Sequence, residues 1–177
     1  MDEKNVVLSK EQQNANRYAL AVNDMDEVIQ HLECYHEISL LHDADDNPRW
    51  AFACRALLSA AIVAYCRPFT DNKSQGFATS KLPISQLKAV RLRRDLHNLL
   101  VKKRNTFIAH ADWSARSAKL AAVDPITLNV AFTEPNVWDG VNVNEFQILA
   151  GGVRMECIGK AFESVMSASS RTLGGRS

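Results

Sequence analysis

A chain of 177 residues, 46% hydrophobic and 23% charged, is long enough to bury one substantial core, and a single domain over residues 1–168 is expected. Its net charge of +1 gives no global electrostatic case for coating nucleic acid or lying on a membrane, so any contact with a polyanion must be local. The four cysteines, Cys34, Cys54, Cys66 and Cys157, contain no C-x-x-C pair, which argues against zinc knuckles and disulfide frameworks and leaves reduced core thiols.

Met1-Asp2-Glu3-Lys4 lacks the charged-then-apolar pattern of a signal peptide. No apolar run approaches the roughly 18 residues of a membrane span, so a cytoplasmic protein without membrane contact is expected. Ser9 followed by Gln12 predicts a capping box, and Leu20, Val28, Leu32 and Tyr35 keep a helical period from about Lys10 to Leu40. The turn from His42 to Pro48 ends in Asn47, a residue that can cap a second helix with Pro48 at its first position. That helix should run to about Tyr65 and bury Trp50, Cys54, Leu57, Leu58, Ala61, Ile62 and Tyr65.

Residues 66–85 read as a long polar loop, the natural candidate for a lid. Arg67 at its start either caps the second helix or swings toward the next one. A third helix from Val90 to Ile108 carries Leu96, Leu99, Leu100, Val101, Phe107 and Ile108 at three- and four-residue spacings. The period then changes from 3.6 to 2. Ile126 to Thr133 should be a strand, pairing with Lys119 to Val123 as a small hairpin over about 118–133.

A last helix from Val143 to Ala168 should face inward with Phe146, Leu149, Val153, Ile158, Phe162, Val165 and Met166. Gly151-Gly152 interrupts it at a cost of about 2 kcal/mol in helix propensity, which predicts a kink or a close helix crossing. Residues 169–177 read as a flexible tail. The fold class expected is mainly α: a bundle of four to five helices with a β-hairpin inserted between the third and fourth long ones.

The stretch Arg104-Asn105-Thr106-Phe107-Ile108-Ala109-His110 carries the most chemistry. His97 and Arg104, seven apart, both fall on the apolar stripe of the third helix, and desolvating an unpartnered guanidinium costs several kcal/mol. Arg104 therefore needs a partner, a wet seam or a second subunit. His110 would converge on Arg104 if the helix ends near Ala109 and the chain turns back, an end with which Ala111-Asp112 is compatible. Arg91 and His97 repeat the spacing but lack the asparagine, the core-facing arginine and the helix end.

This arrangement resembles the HEPN family, small helical bundles whose motif is an arginine, four to six residues and a histidine, often with a polar residue directly after the arginine. Arg104, Asn105 and His110 match it. The resemblance implies a helical bundle and a metal-independent ribonuclease, acting as a toxin or in phage defence, that needs no cofactor. His110 would move protons, Arg104 would hold the scissile phosphate, and Asn105 would orient either group. One histidine cannot easily be both acid and base in one step, which is why such nucleases are thought to set two motifs across a homodimer cleft. His97, Arg67 and Asp112 are supporting candidates. The resemblance also implies an RNA substrate and an antitoxin or other protein partner.

The second reading is a non-catalytic helical module binding a protein or a nucleotide, in which Arg104, Asn105 and His110 brace the motif helix. Near-neutral charge fits it. The basic run Lys88, Arg91, Arg93, Arg94, Lys102, Lys103 and Arg104 is either a solvated helix face or a local phosphate surface. His31, Cys34 and His36 do not make a metal site, because His36 points away from Cys34 on helical geometry. Asp43, Asp45 and Asp46 lack the glycine and glutamate of a calcium loop, so capping explains them better. G-x-S-x-G, glycine-rich phosphate loops and H-E-x-x-H are absent.

Overall fold

The computed structural model describes residues 9–45, 47–70, 81–109, 118–122, 128–132 and 139–174, with backbone alone at 107–109, 118–122, 128–132 and 170–174. Among the described residues it is a mainly helical bundle of five α-helices: α1 (Lys10–Ala44), α2 (Pro48–Cys66), α3 (Lys88–Leu92), α4 (Arg94–Lys103) and α5 (Val143–Gly174).

The start of α1 is set by local chemistry. The Ser9 hydroxyl accepts from the Gln12 amide at 3.2 Å, and the Gln12 side chain accepts from the Ser9 amide at 2.8 Å. Its inner stripe is Tyr18, Ala21, Met25, Val28 and Leu32. Leu20, expected on that stripe, is 54% exposed, because the stripe is phased on Tyr18 and Ala21. Asn47 caps α2 through the Arg49 amide at 3.0 Å, with Pro48 in the first turn. α2 buries Cys54, Leu58, Ala61, Ile62, Ala64, Tyr65 and Cys66, while Trp50 and Leu57 are half-buried.

The segment Pro48–Phe69 is long and apolar enough, by length and composition, to cross a membrane, contrary to the expectation that no run qualifies. Its apolar residues have an internal use. Leu58, Ala61, Ile62 and Tyr65 are fully enclosed in the core formed with α1 and α5.

Both ends of the long loop after α2 are structured. Arg67–Phe69 and Ile84–Gln86 are single 3-10 turns, and the Leu82 amide donates to the Pro68 carbonyl at 2.8 Å. Phe69, Leu82 and Leu87 are buried, so the loop's ends belong to the core rather than to a free lid; residues 71–80 lie outside the described residues.

The expected single helix over 90–108 is broken. Arg93, at φ −125° and ψ 44°, separates α3 from α4, and its amide is shared between the Ala89 and Val90 carbonyls. After Lys103 the spiral widens into a π-helical stretch, Arg104–Ala109. Then Ala118–Ala122 (β1) and Leu128–Phe132 (β2) pair antiparallel, with Ala118 opposite Phe132 and Ala122 opposite Leu128. The expected strand start at Ile126 lies outside the described residues.

α5 lies antiparallel along α1, tied by Arg154 to Asp26 at 2.5 Å and packed with Phe146, Leu149, Ala150, Val153 and Cys157 inward. Two corrections concern it. Ile158, Phe162, Val165 and Met166, expected inside, are 39%, 66%, 52% and 55% exposed, because at about 100° per residue they fall on the side of α5 turned away from Phe146, Leu149, Val153 and Cys157. The helix also extends to Gly174, through most of the expected tail; the Ser167 and Ser169 hydroxyls fold back onto the Glu163 and Val165 carbonyls. Gly151-Gly152 makes a close crossing: a Cβ on Gly152 would lie 2.7 Å from the Ala89 Cβ.

Candidate functional site

Arg104 sits where α4 gives way to the π-helical stretch, a local widening that is frequent at functional sites. It is half-buried rather than core-facing, beside the buried Leu100 and Lys103, and its amide still bonds back to the Leu100 and Val101 carbonyls, so it holds the last α-helical position before the pitch changes. Its Nη1 donates to the Asn105 Oδ1 at 2.9 Å, so the two motif residues brace each other. Among the described residues no carboxylate pairs with it. The guanidinium lies near the end of α2, where its charge opposes, without overcoming, the burial that pushes the Cys66 thiol up to about 12. His110 and Asp112 lie outside the described residues.

His97 takes the buried place expected for it, 2% exposed, but its partner is not Arg104. Its Nδ1 lies 2.9 Å from the Tyr65 hydroxyl, and its ring packs edge-on against Phe69 at 4.9 Å between centroids. Burial pushes the Tyr65 phenol well above its ordinary range, so it stays protonated, and one proton is shared across the contact, with Nδ1 as acceptor or donor according to the imidazole tautomer. Burial first, and then the Arg94 charge, holds the His97 pKa below its usual value. The imidazole is neutral and enclosed, a brace between α4 and α2 rather than an exposed base.

Arg67 neither caps α2 with its side chain nor reaches the motif. Its guanidinium binds both Glu27 oxygens and, at 3.2 Å, Asp24, both on α1. Arg67 lowers the Glu27 pKa, while burial raises that of Asp24 against the same positive charge. This network staples the end of α2 to α1.

Lys103 escaped the sequence reading. Placed there among the basic surface residues, it is 7% exposed; desolvation lowers its pKa while the nearby Asp139 carboxylate works in the opposite direction. Its only sequence cue is position, three residues after the buried Leu100. Arg93 is also engaged, at 2.8 Å from Glu145, beside an open cleft of about 350 Å³ lined by Leu92, Leu96, Leu99 and Asn142. Of the basic run, Lys88, Arg91, Arg94 and Lys102 are exposed.

α3 is capped from a distance. Leu87 offers no side-chain acceptor, and Glu156 on α5 takes the Lys88 and Ala89 amides at 2.7 and 2.6 Å. Among the described residues no group of three His, Cys, Asp or Glu could hold a metal ion, and His31 instead lies 3.5 Å from Glu27. Cys54, Cys66 and Cys157 are buried thiols, whereas Cys34, expected in the core, is exposed on α1. No protein-family model, curated protein or solved structure matches the chain.

Proposed function

We propose that this chain is a HEPN-like, metal-independent endoribonuclease of the cytoplasm that acts as a homodimer, with the paired strands inserted before the last bundle helix. The observation that carries the reading is Arg104. It is half-buried, held by Asn105, and lacks a carboxylate partner among the described residues. A partly desolvated guanidinium is best satisfied by an anion, and its planar fork fits two oxygens of a phosphodiester.

His110, five intervening residues along, would take the proton from an RNA 2′-hydroxyl or give one to the departing 5′-oxygen. Attack of the 2′-oxygen on phosphorus, with loss of the 5′-oxygen, leaves a 2′,3′-cyclic phosphate. Arg104 would neutralise the charge gathering on the phosphoryl oxygens. The same resemblance carries the toxin or phage-defence role and an antitoxin as partner.

The test is RNA cleavage in EDTA by the wild type and by Arg104→Ala and His110→Ala. Each variant is expected to lose roughly a hundredfold or more in rate while keeping the wild-type melt. Absence of cleavage by the wild type, or cleavage that survives both substitutions, would overturn the reading.

A further inference from the structure

The open cleft of about 350 Å³ between the α3–α4 junction and the start of α5 has no part in the chemistry assigned to Arg104 and His110. Its volume lies within the roughly 300–1,000 Å³ of small-molecule sites. One wall is apolar, made by Leu92, Leu96 and Leu99. Leu92 is 68% exposed, and a leucine so bare at the mouth of a cleft gains by being covered. The ion pair from Arg93 to Glu145, at 2.8 Å, ties the two sides together and occupies the Arg93 Nε and one Glu145 oxygen.

Arg94 and Asp95 also line the cleft, and they carry its free charges. Both are exposed, and neither enters an ion pair among the described residues. They are neighbours in the first turn of α4, so a fork of N–H donors and a pair of carboxylate oxygens stand side by side at the rim of the leucine wall. Guanine is the base whose edges answer both. Its N1 and N2 hydrogens lie together and suit the two oxygens of one carboxylate, while its O6 and N7 lie together and suit the fork of one arginine. Adenine sets a single donor beside an acceptor on either edge, uracil sets one N–H between two carbonyls, and cytosine has only its amine to donate. None of the three offers two neighbouring donors to Asp95 together with two neighbouring acceptors to Arg94.

We propose that this cleft is a subsite that reads guanine in single-stranded RNA. Asp95 accepts from N1 and N2, Arg94 donates to O6 and N7, and the ring lies against the leucines and covers Leu92. The strand is taken from the ribonuclease reading, on which this inference rests; the base is taken from the cleft itself. Arg104 stands ten residues beyond Arg94, about 15 Å along α4, so the guanine held here is a neighbour of the nucleotide that is cut and selects which sequences are presented.

The experiment measures binding in EDTA, by fluorescence anisotropy, of short labelled oligouridines carrying one central guanosine, inosine or adenosine. Their 2′-oxygens are methylated so that none can be cut. The guanosine strand is expected to bind at least about tenfold more tightly than the adenosine strand, with inosine, which lacks the N2 amine, in between. Asp95→Asn should weaken the guanosine strand and abolish the preference, although loss of a negative charge by itself strengthens the hold on any polyanion. Arg94→Lys keeps the charge and loses the fork, so it should reduce the preference while binding plain oligouridine as the wild type does. Both side chains are exposed, and melts of the two variants should match the wild type. Failure to bind the guanosine strand, or to prefer it, would overturn the proposal. So would an Asp95→Asn variant that binds every strand more tightly with the preference intact. Guanosine monophosphate competing as strongly as the whole guanosine strand would make this a site for a free nucleotide, and would overturn its assignment to RNA. No arm measures cleavage, so a failed nuclease assay and a failed guanine preference are separate results.

Discussion

The buried pair Tyr65 and His97 shows what one hydrogen bond does inside this core. The two residues are 32 apart in sequence, and the bond between them joins α2 to α4 in a pocket that also holds Phe69 and Phe146. Tyr65→Phe removes the hydroxyl and strands Nδ1 in the core, which should cost about 1–3 kcal/mol in chemical denaturation. Tyr65→Phe with His97→Leu removes both partners, and its cost should fall short of the two single costs added together. The same histidine sets a pH dependence. Its folded pKa is depressed by burial, so below about 6.5 the unfolded chain takes up a proton that the folded chain refuses. Stability should therefore fall as the pH drops from 6.5 toward the folded pKa. Melts between neutral and mildly acid pH should show this slope in the wild type and a shallower one in His97→Leu; equal slopes would mean that another group is responsible. A buried histidine was legible from its place on the apolar stripe, but its tyrosine was not, since nothing local links positions so far apart. Lys103 was hidden for a related reason: a lysine in a basic run looks solvated until the neighbouring elements are in place.

At the scale of the element, the parts governed by adjacent residues were readable and the parts governed by distant ones were not. Ser9 with Gln12, and Asn47 with Pro48, marked the starts of α1 and α2 because a cap is built within four residues. The break at Arg93 carries no glycine or proline to announce it, and the cap of α3 comes from Glu156, 67 residues beyond Ala89. Periodicity marked one apolar face of α5 but could not say whether the core covers it, so Phe162 and Met166 were placed inside. The adjacent glycines of α5 give a sharp test of local against tertiary control. Gly151→Ala meets nothing and gains helix propensity, so it should stabilise the monomer by up to ~1 kcal/mol. Gly152→Ala would drive a methyl to 2.7 Å from Ala89 and should destabilise by about 1–3 kcal/mol as α3 is forced away. Denaturant titrations of the two variants at low concentration, where association is absent, should move the midpoint in opposite directions. Movement in the same direction would show that α3 yields freely.

For the whole molecule, the arrangement of contacts makes α1 the common wall of the bundle. Its Asp24 and Glu27 hold the end of α2 through Arg67, its Asp26 holds α5 through Arg154, and its Tyr18 reaches Gln86, just ahead of α3, at 3.3 Å. The segment carrying Arg104 has no ion pair to α1 among the described residues; it is fastened at second hand, through His97 to α2 and through Arg93 and the Glu156 cap to α5. A cavity in the middle of α1 should therefore loosen every element together, because α2 and α5 each depend on the same inner stripe. Leu32 is fully enclosed there. Leu32→Ala should cost about 2–5 kcal/mol, a large fraction of the roughly 5–15 kcal/mol that holds a typical domain. If α1 is the shared wall, the denaturation midpoint should drop with an unchanged slope, and tryptophan fluorescence and far-ultraviolet circular dichroism should still give one coincident transition. Two separated transitions would mean instead that the bundle comes apart in stages and that some part of it keeps its packing after α1 has let go.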